Sequence, residues 1–200
     1  MAETTTRHPL NLPPGSIRSM LALMISGLFV ALLVLPGTQN VPVPTFLYLL
    51  LTLIMVFVVA HGKTIAPEGE RPPLHLPRGT VPFLISVGLI AAVVWKFVND
   101  QDALIARLQP STDQLKTWPV LLCALFGGFF IGRILKRGPW NNSAMFQDML
   151  AWVSLLCMIG LGIESLGVLF VHQAVGEGIN LHKLEAFLTG AVALYFGARC

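Results

Sequence analysis

Glu164 is the one acidic residue well inside an apolar stretch of this sequence. It falls four residues past the middle of the run 149–171, about 6 Å along a helix axis. A charge at that depth in hydrocarbon costs about 2.5–3.5 kcal/mol on insertion scales, so it must face protein or water, or carry a proton. Cys157, Gly160 and Gly167 stand at i−7, i−4 and i+3 from it and share its helical face. Small residues let a second helix come close, so Glu164 is expected at a helix–helix contact. Two roles fit: a proton or cation site, or a hydrogen-bonded interhelical tie. The tie is the simpler account, because only Ser154, Ser165 and, at the far end, His172 add polarity nearby.

Other chemistry is sparse. The histidines His8, His61, His75, His172 and His182 are scattered along the chain. A bis-histidine cofactor site needs two of them facing each other at one depth, and interfacial solvation explains them more simply. No HExxH, phosphate-cradling glycine loop or paired-carboxylate arrangement occurs. Cys123, Cys157 and Cys200 have no metal-ligand spacing, and an odd count with two members in apolar runs argues against a disulfide framework. No enzymatic activity, metal or cofactor is expected. Asp100, Asp102 and Asp113 lie beside Arg107 and Lys116 and read as a solvated face.

The elements that must hold these residues follow from composition. The sequence is 54% hydrophobic and 12% charged, with mean hydropathy +0.73. A soluble domain carries about 25% charged residues, so there is too little charge here to wet a globular surface. The expected fold is an all-α, polytopic transmembrane bundle. The net charge of +3 does not indicate nucleic acid, since the cations sit at the ends of apolar runs, where membrane topology puts them.

Six apolar segments are expected to be helices, at about 17–35, 43–61, 81–98, 118–136, 149–171 and 184–198, forming one transmembrane domain over 17–198. Residues 1–16 form a polar, Pro-rich segment that reads as cytoplasmic rather than as a cleaved leader. The last run has thirteen uncharged residues between Glu185 and Arg199, few for a full crossing. A short amphipathic helix is expected in the 99–117 connection, through Ala103, Leu104, Ile105 and Leu108, lying on the outer surface.

A phrase occurs twice: PLNLPPGSI at 9–17 and PLHLPRGTV at 73–81, identical at five of nine positions, each opening an apolar run. It suggests an internal repeat and three hairpins, with Ser16 and Thr80 as helix N-caps. The phrase is a helix entry device or a docking strip for a cytoplasmic partner. Even-numbered runs close on glycine beside a cation: Gly62-Lys63, Gly132-Arg133, and Gly197 before Arg199. Nine of the thirteen cations fall on the side of the N-terminus, which places both termini in the cytoplasm and the chain in a plasma (inner) membrane. Trp95, Trp118, Trp140 and Trp152 serve as interfacial anchors.

Small-xxx-small pairs recur at Gly27/Ala31, Gly128/Gly132, Ala186/Gly190 and Ala193/Gly197. They serve packing inside this bundle or association with other membrane helices. With tiny loops and no catalytic motif, the leading expectation is a structural or accessory subunit in contact with lipid and with other membrane proteins or copies of itself. The alternative is a small channel or secondary transporter that uses Glu164.

Overall fold

The computed structural model describes residues 15–35, 42–61, 79–138, 143–170 and 181–199. Within them the chain is all-helical: α1 (Ser16–Val34), α2 (Thr45–His61), α3 (Thr80–Asn99), α4 (Gln101–Leu108), α5 (Thr112–Arg137), α6 (Ala144–Phe170) and α7 (Leu181–Arg199). Among the described residues four helices are long and apolar enough to cross a membrane: Ser16–Val34, Thr80–Asn99, Gln114–Arg137 and Met145–Gly167. Thr45–Val56 adds a shorter apolar helix.

Each of the six expected segments is matched by a helix, and the differences lie at the ends. α5 starts at Thr112 rather than 118, because a capping box closes its first turn: Gln114 N–H donates to Ser111 Oγ, and Ser111 N–H donates to Gln114 Oε1. Pro119 then lies inside the helix. α6 begins at Ala144, five residues before its apolar run. Hydropathy marks where lipid begins; capping marks where the helix begins.

The caps of α1 and α3 also differ from expectation. Gly15 and Gly79 hold the N-cap positions, with Ser16 and Thr80 as the first helical residues. Both glycines are left-handed, φ 82° and 86°, a conformation that costs other residues the Cβ clash glycine lacks. Each accepts the first helical bond, from Ser19 N–H and Phe83 N–H respectively. The two phrases therefore end in the same local backbone; their Pro-rich parts lie outside the described residues.

α1 is the hub, packing on α2, α3 and α6, while α7 packs on α5, α6 and α2. Leu21, Ile25, Leu33, Phe46, Leu47, Leu50, Met158 and Leu161 fill the core. α3 touches only α1 and α4 closely and turns Phe83, Ile90, Trp95 and Val98 outward. α5 and α6 likewise expose Phe130, Ile134, Trp152 and Ile163. A soluble protein rarely leaves apolar patches larger than a few hundred Å² uncovered; lipid is the solvent that fits this surface.

Candidate functional site

α7 lies in a trough between α5 and α6, and its two contacts are built differently. Against α5 it is a backbone-to-backbone seam. A Cβ on Gly128 would fall on the Gly190 carbonyl, one on Gly132 on the Leu194 carbonyl, and one on Gly197 on the Phe129 carbonyl. Gly190 in turn rests near the Ala124 carbonyl. Rising residue numbers on α5 meet rising numbers on α7, so the two helices run parallel. Gly132 and Gly197 lie within helices and make this contact; they do not provide the helix stops expected of them. Gly62 and Lys63 lie outside the described residues. Ala186 and Ala193 are buried on α7.

The α6–α7 seam is looser and runs antiparallel. A Cβ on Gly160 would meet Leu188 Cδ1 at 3.6 Å, ordinary contact, whereas one on Gly167 would meet nothing within 4 Å. Cys157 is buried and its thiol is free. From the Gly160–Leu188 contact, four residues along α6 and back along α7 bring Glu164 about level with Leu184 and Glu185. Both Glu164 oxygens are buried and accept no hydrogen bond.

The neighbouring hydroxyls do not relieve Glu164. Ser154 Oγ donates to Leu150 O at 2.8 Å and Ser165 Oγ to Leu161 O at 2.8 Å, each spent on its own helix. Thr189 is fully buried, and its Oγ1 has no partner. The sequence does not mark Thr189, because a threonine in a helix ordinarily bonds to the carbonyl four residues back.

A second buried charge lies at the same end of the bundle. α4 forms where the amphipathic pattern puts it, capped by Asp100 Oδ1, which accepts from Ala103 N–H at 3.1 Å. It docks rather than lying free: Ala103 and Leu104 are buried, while Ile105 is exposed. Arg107, read from sequence as part of a solvated face, is 3% exposed. Its Nη1 donates to Leu32 O (2.8 Å), Leu33 O (3.1 Å) and Leu35 O (2.8 Å). These are orphan carbonyls at the end of α1, and a cation there also meets the negative end of the helix dipole. Val43 N–H donates to Arg107 O and Tyr48 Oη to Leu108 O, which fastens α4 to the start of α2. Nothing in the composition of 99–117 marks which cation folds inward; the signal is the set of carbonyls that the end of α1 leaves open 72 to 75 residues earlier.

Lys96 pairs with Asp100 at 3.8 Å at the end of α3. The histidine side chains, Trp140 and Cys200 lie outside the described residues. No group of three or more potential metal-ligating side chains occurs among the described residues. The chain matches no protein-family model, no curated protein and no solved structure.

Proposed function

We propose that this integral membrane protein works through the α6–α7 seam, as a small channel or secondary transporter that passes a proton or small cation by way of Glu164. The observation that carries the reading is the pair of Glu164 oxygens, buried and without a hydrogen-bond donor in a helix of membrane-spanning length. Glu164 lies six residues from Phe170, about 9 Å from that end of α6. A structural tie would engage those oxygens; a transit site leaves them ready for a passing cation. On this reading six helices cross a plasma membrane as three hairpins, α7 spans beside its parallel partner α5, both termini are cytoplasmic, and the chain catalyses no reaction.

The test is flux in proteoliposomes. The wild-type protein should dissipate a proton or sodium gradient, and Glu164→Gln should reduce the rate by an order of magnitude or change its pH dependence. No flux from wild-type protein reconstituted at high density, or flux unchanged by Glu164→Gln, would reject the reading.

The accessory-subunit expectation becomes the second reading. Gly128, Gly132, Gly190 and Gly197 are occupied inside the chain and no longer argue for a partner. One small pair still faces outward: Gly27 is exposed, with nothing within 4 Å of a Cβ, and Ala31 is half-buried one turn on. Native mass spectrometry after gentle detergent extraction separates the two readings. Stoichiometric membrane partners lost on Gly27→Leu would favour the subunit role.

A further inference from the structure

The tight seam with α7 fixes which way the rest of α5 faces. Gly128 and Gly132 meet the α7 backbone, and each residue of a helix turns the chain by about 100°. Phe126, Phe130, Arg133, Ile134 and Arg137 therefore stand about 100° to 200° round from Gly132, on the far side of α5. All five are exposed, in keeping with that placement. The side of α5 turned away from the bundle is thus an apolar stripe that runs into two arginines one turn apart.

Nothing in the chain balances those arginines. Among the described residues no acid pairs with Arg133, Lys136 or Arg137. Asp148, on the part of α6 that begins at the same end, has an interaction of its own. Depth sharpens the point. Trp118, exposed near the opposite end of the span, lies about 28 Å along the axis from Arg137 and about 22 Å from Arg133. The hydrocarbon layer is about 30 Å thick. With Trp118 at one interface, Arg137 reaches the other and Arg133 stands a turn inside it. The Cα–Cβ bond of a helical residue tilts toward the helix N-terminus, which for α5 is the opposite leaflet. Arg133 therefore starts out pointing away from water, at a depth where an unmet charge is costly.

We propose that the outward face of α5 binds an anionic phospholipid, its phosphodiester held by Arg133 and Arg137 and its acyl chains laid along Phe126 and Phe130. Residues four apart on a helix have Cβ atoms about 6 Å apart, so both guanidinium groups can reach one phosphate, whose oxygens their planar forks fit. The cations adjoin apolar surface that an acyl chain covers and a free phosphate does not. A packed protein helix would bury both charges without balancing them. A zwitterionic headgroup brings an ammonium that competes for its own phosphate, so the anionic lipid is preferred. The site lies on the far side of α5 from the α6–α7 seam and does not depend on the transport reading.

The full-length protein in a neutral detergent is stripped of lipid and offered phosphatidylglycerol or phosphatidylcholine with the same acyl chains. Native mass spectrometry counts retained lipid, and tryptophan fluorescence follows thermal unfolding. Wild-type protein should hold about one phosphatidylglycerol per chain, about tenfold more tightly than phosphatidylcholine, with an unfolding temperature that rises saturably. Arg133→Gln and Arg137→Gln should each weaken that binding about fivefold, the scale of one cation on an anionic lipid surface. The double variant should hold both lipids alike. Lys136→Gln removes the same charge about 40° from Gly132, on the side nearer α7, and should change affinity less than twofold. None of these side chains makes an ion pair among the described residues, so the variants should fold and unfold in phosphatidylcholine as wild type does. Equal retention of the two lipids by wild type, or a preference that survives the double variant, would overturn the site. So would a loss on Lys136→Gln as large as on Arg133→Gln, the mark of a diffuse charged surface. Inorganic phosphate alone giving the same stabilisation as phosphatidylglycerol would also overturn it, as a site for a free anion.

Discussion

α7 presents one face to α5 and another to α6, and the two seams follow opposite rules. Toward α5 the residues are glycine and alanine, the backbones touch, and no polar side chain need be accommodated. Toward α6 the contact is with side chains, Leu188 on Gly160, and one turn on, Glu164 keeps both its oxygens buried without partners. In lipid there is little hydrophobic drive between helices, so stability comes from close dispersion contact. The α5 seam supplies that contact. The α6 seam gives some of it up, and the Glu164 oxygens are buried there without partners, as Thr45 Oγ1 and Arg107 Nε are elsewhere in the bundle.

The largest effect is expected where the seam is tightest. A Cβ on Gly132 would collide with the Leu194 carbonyl and come within 2.7 Å of Ala198 N. Both obstacles are backbone and neither can rotate away. Gly132→Leu should separate α5 from α7 and yield no monodisperse protein in detergent on size-exclusion chromatography. A well-behaved Gly132→Leu protein would remove the distinction between the seams.

Arg107 provides the control, a buried charge that hydrogen bonds hold in place through one nitrogen, although its Nε, too, is buried without a partner. Its Nη1 engages three carbonyls of the α1 terminus, so it should be structural where Glu164 is not. Arg107→Met should destabilise the protein by about 2–3 kcal/mol, the scale of hydrogen bonds to a charged group, and expose the 99–111 region to protease, with Arg107→Lys recovering part of the loss. Flux per folded molecule should not change. If instead flux falls while the protease pattern stays the same, Arg107 belongs to the transport path.

The two charges also show what the sequence discloses. Glu164 was legible because it interrupts an apolar run, and interruption is a local property. The helices were legible for the same reason, and the glycine pairs marked faces suited to close approach. Which helix meets which face was not legible: Gly128 and Gly132 read equally well as contacts to a partner until Gly190 and Leu194 appear against them. Arg107 was misread because its acceptors lie on α1, far away in sequence, and the polar neighbours of Arg107 suggest water. Thr189 was missed because the abnormal feature is a bond not made, which no residue type reveals.

Gly160 sharpens the contrast between seams at modest amplitude. Its Cβ position meets only Leu188 Cδ1, at 3.6 Å, the tip of a flexible side chain. Gly160→Ala should therefore be accepted and, by removing glycine from a helix interior, should stabilise the protein by up to about 1 kcal/mol. A loss of folded protein would mean that the α6 seam is as intolerant as the α5 seam.

The smallest shift in stability, and the finest discrimination, is expected at Thr189. Its hydroxyl is buried without a partner, so the folded state bears a desolvation cost that Thr189→Val removes. The variant should unfold at the wild-type temperature or slightly above it, by less than about 1 kcal/mol, as read by tryptophan fluorescence in detergent. Unfolding well below wild type would mean that the hydroxyl makes a bond that the folded chain needs, and that the buried oxygen is not a cost.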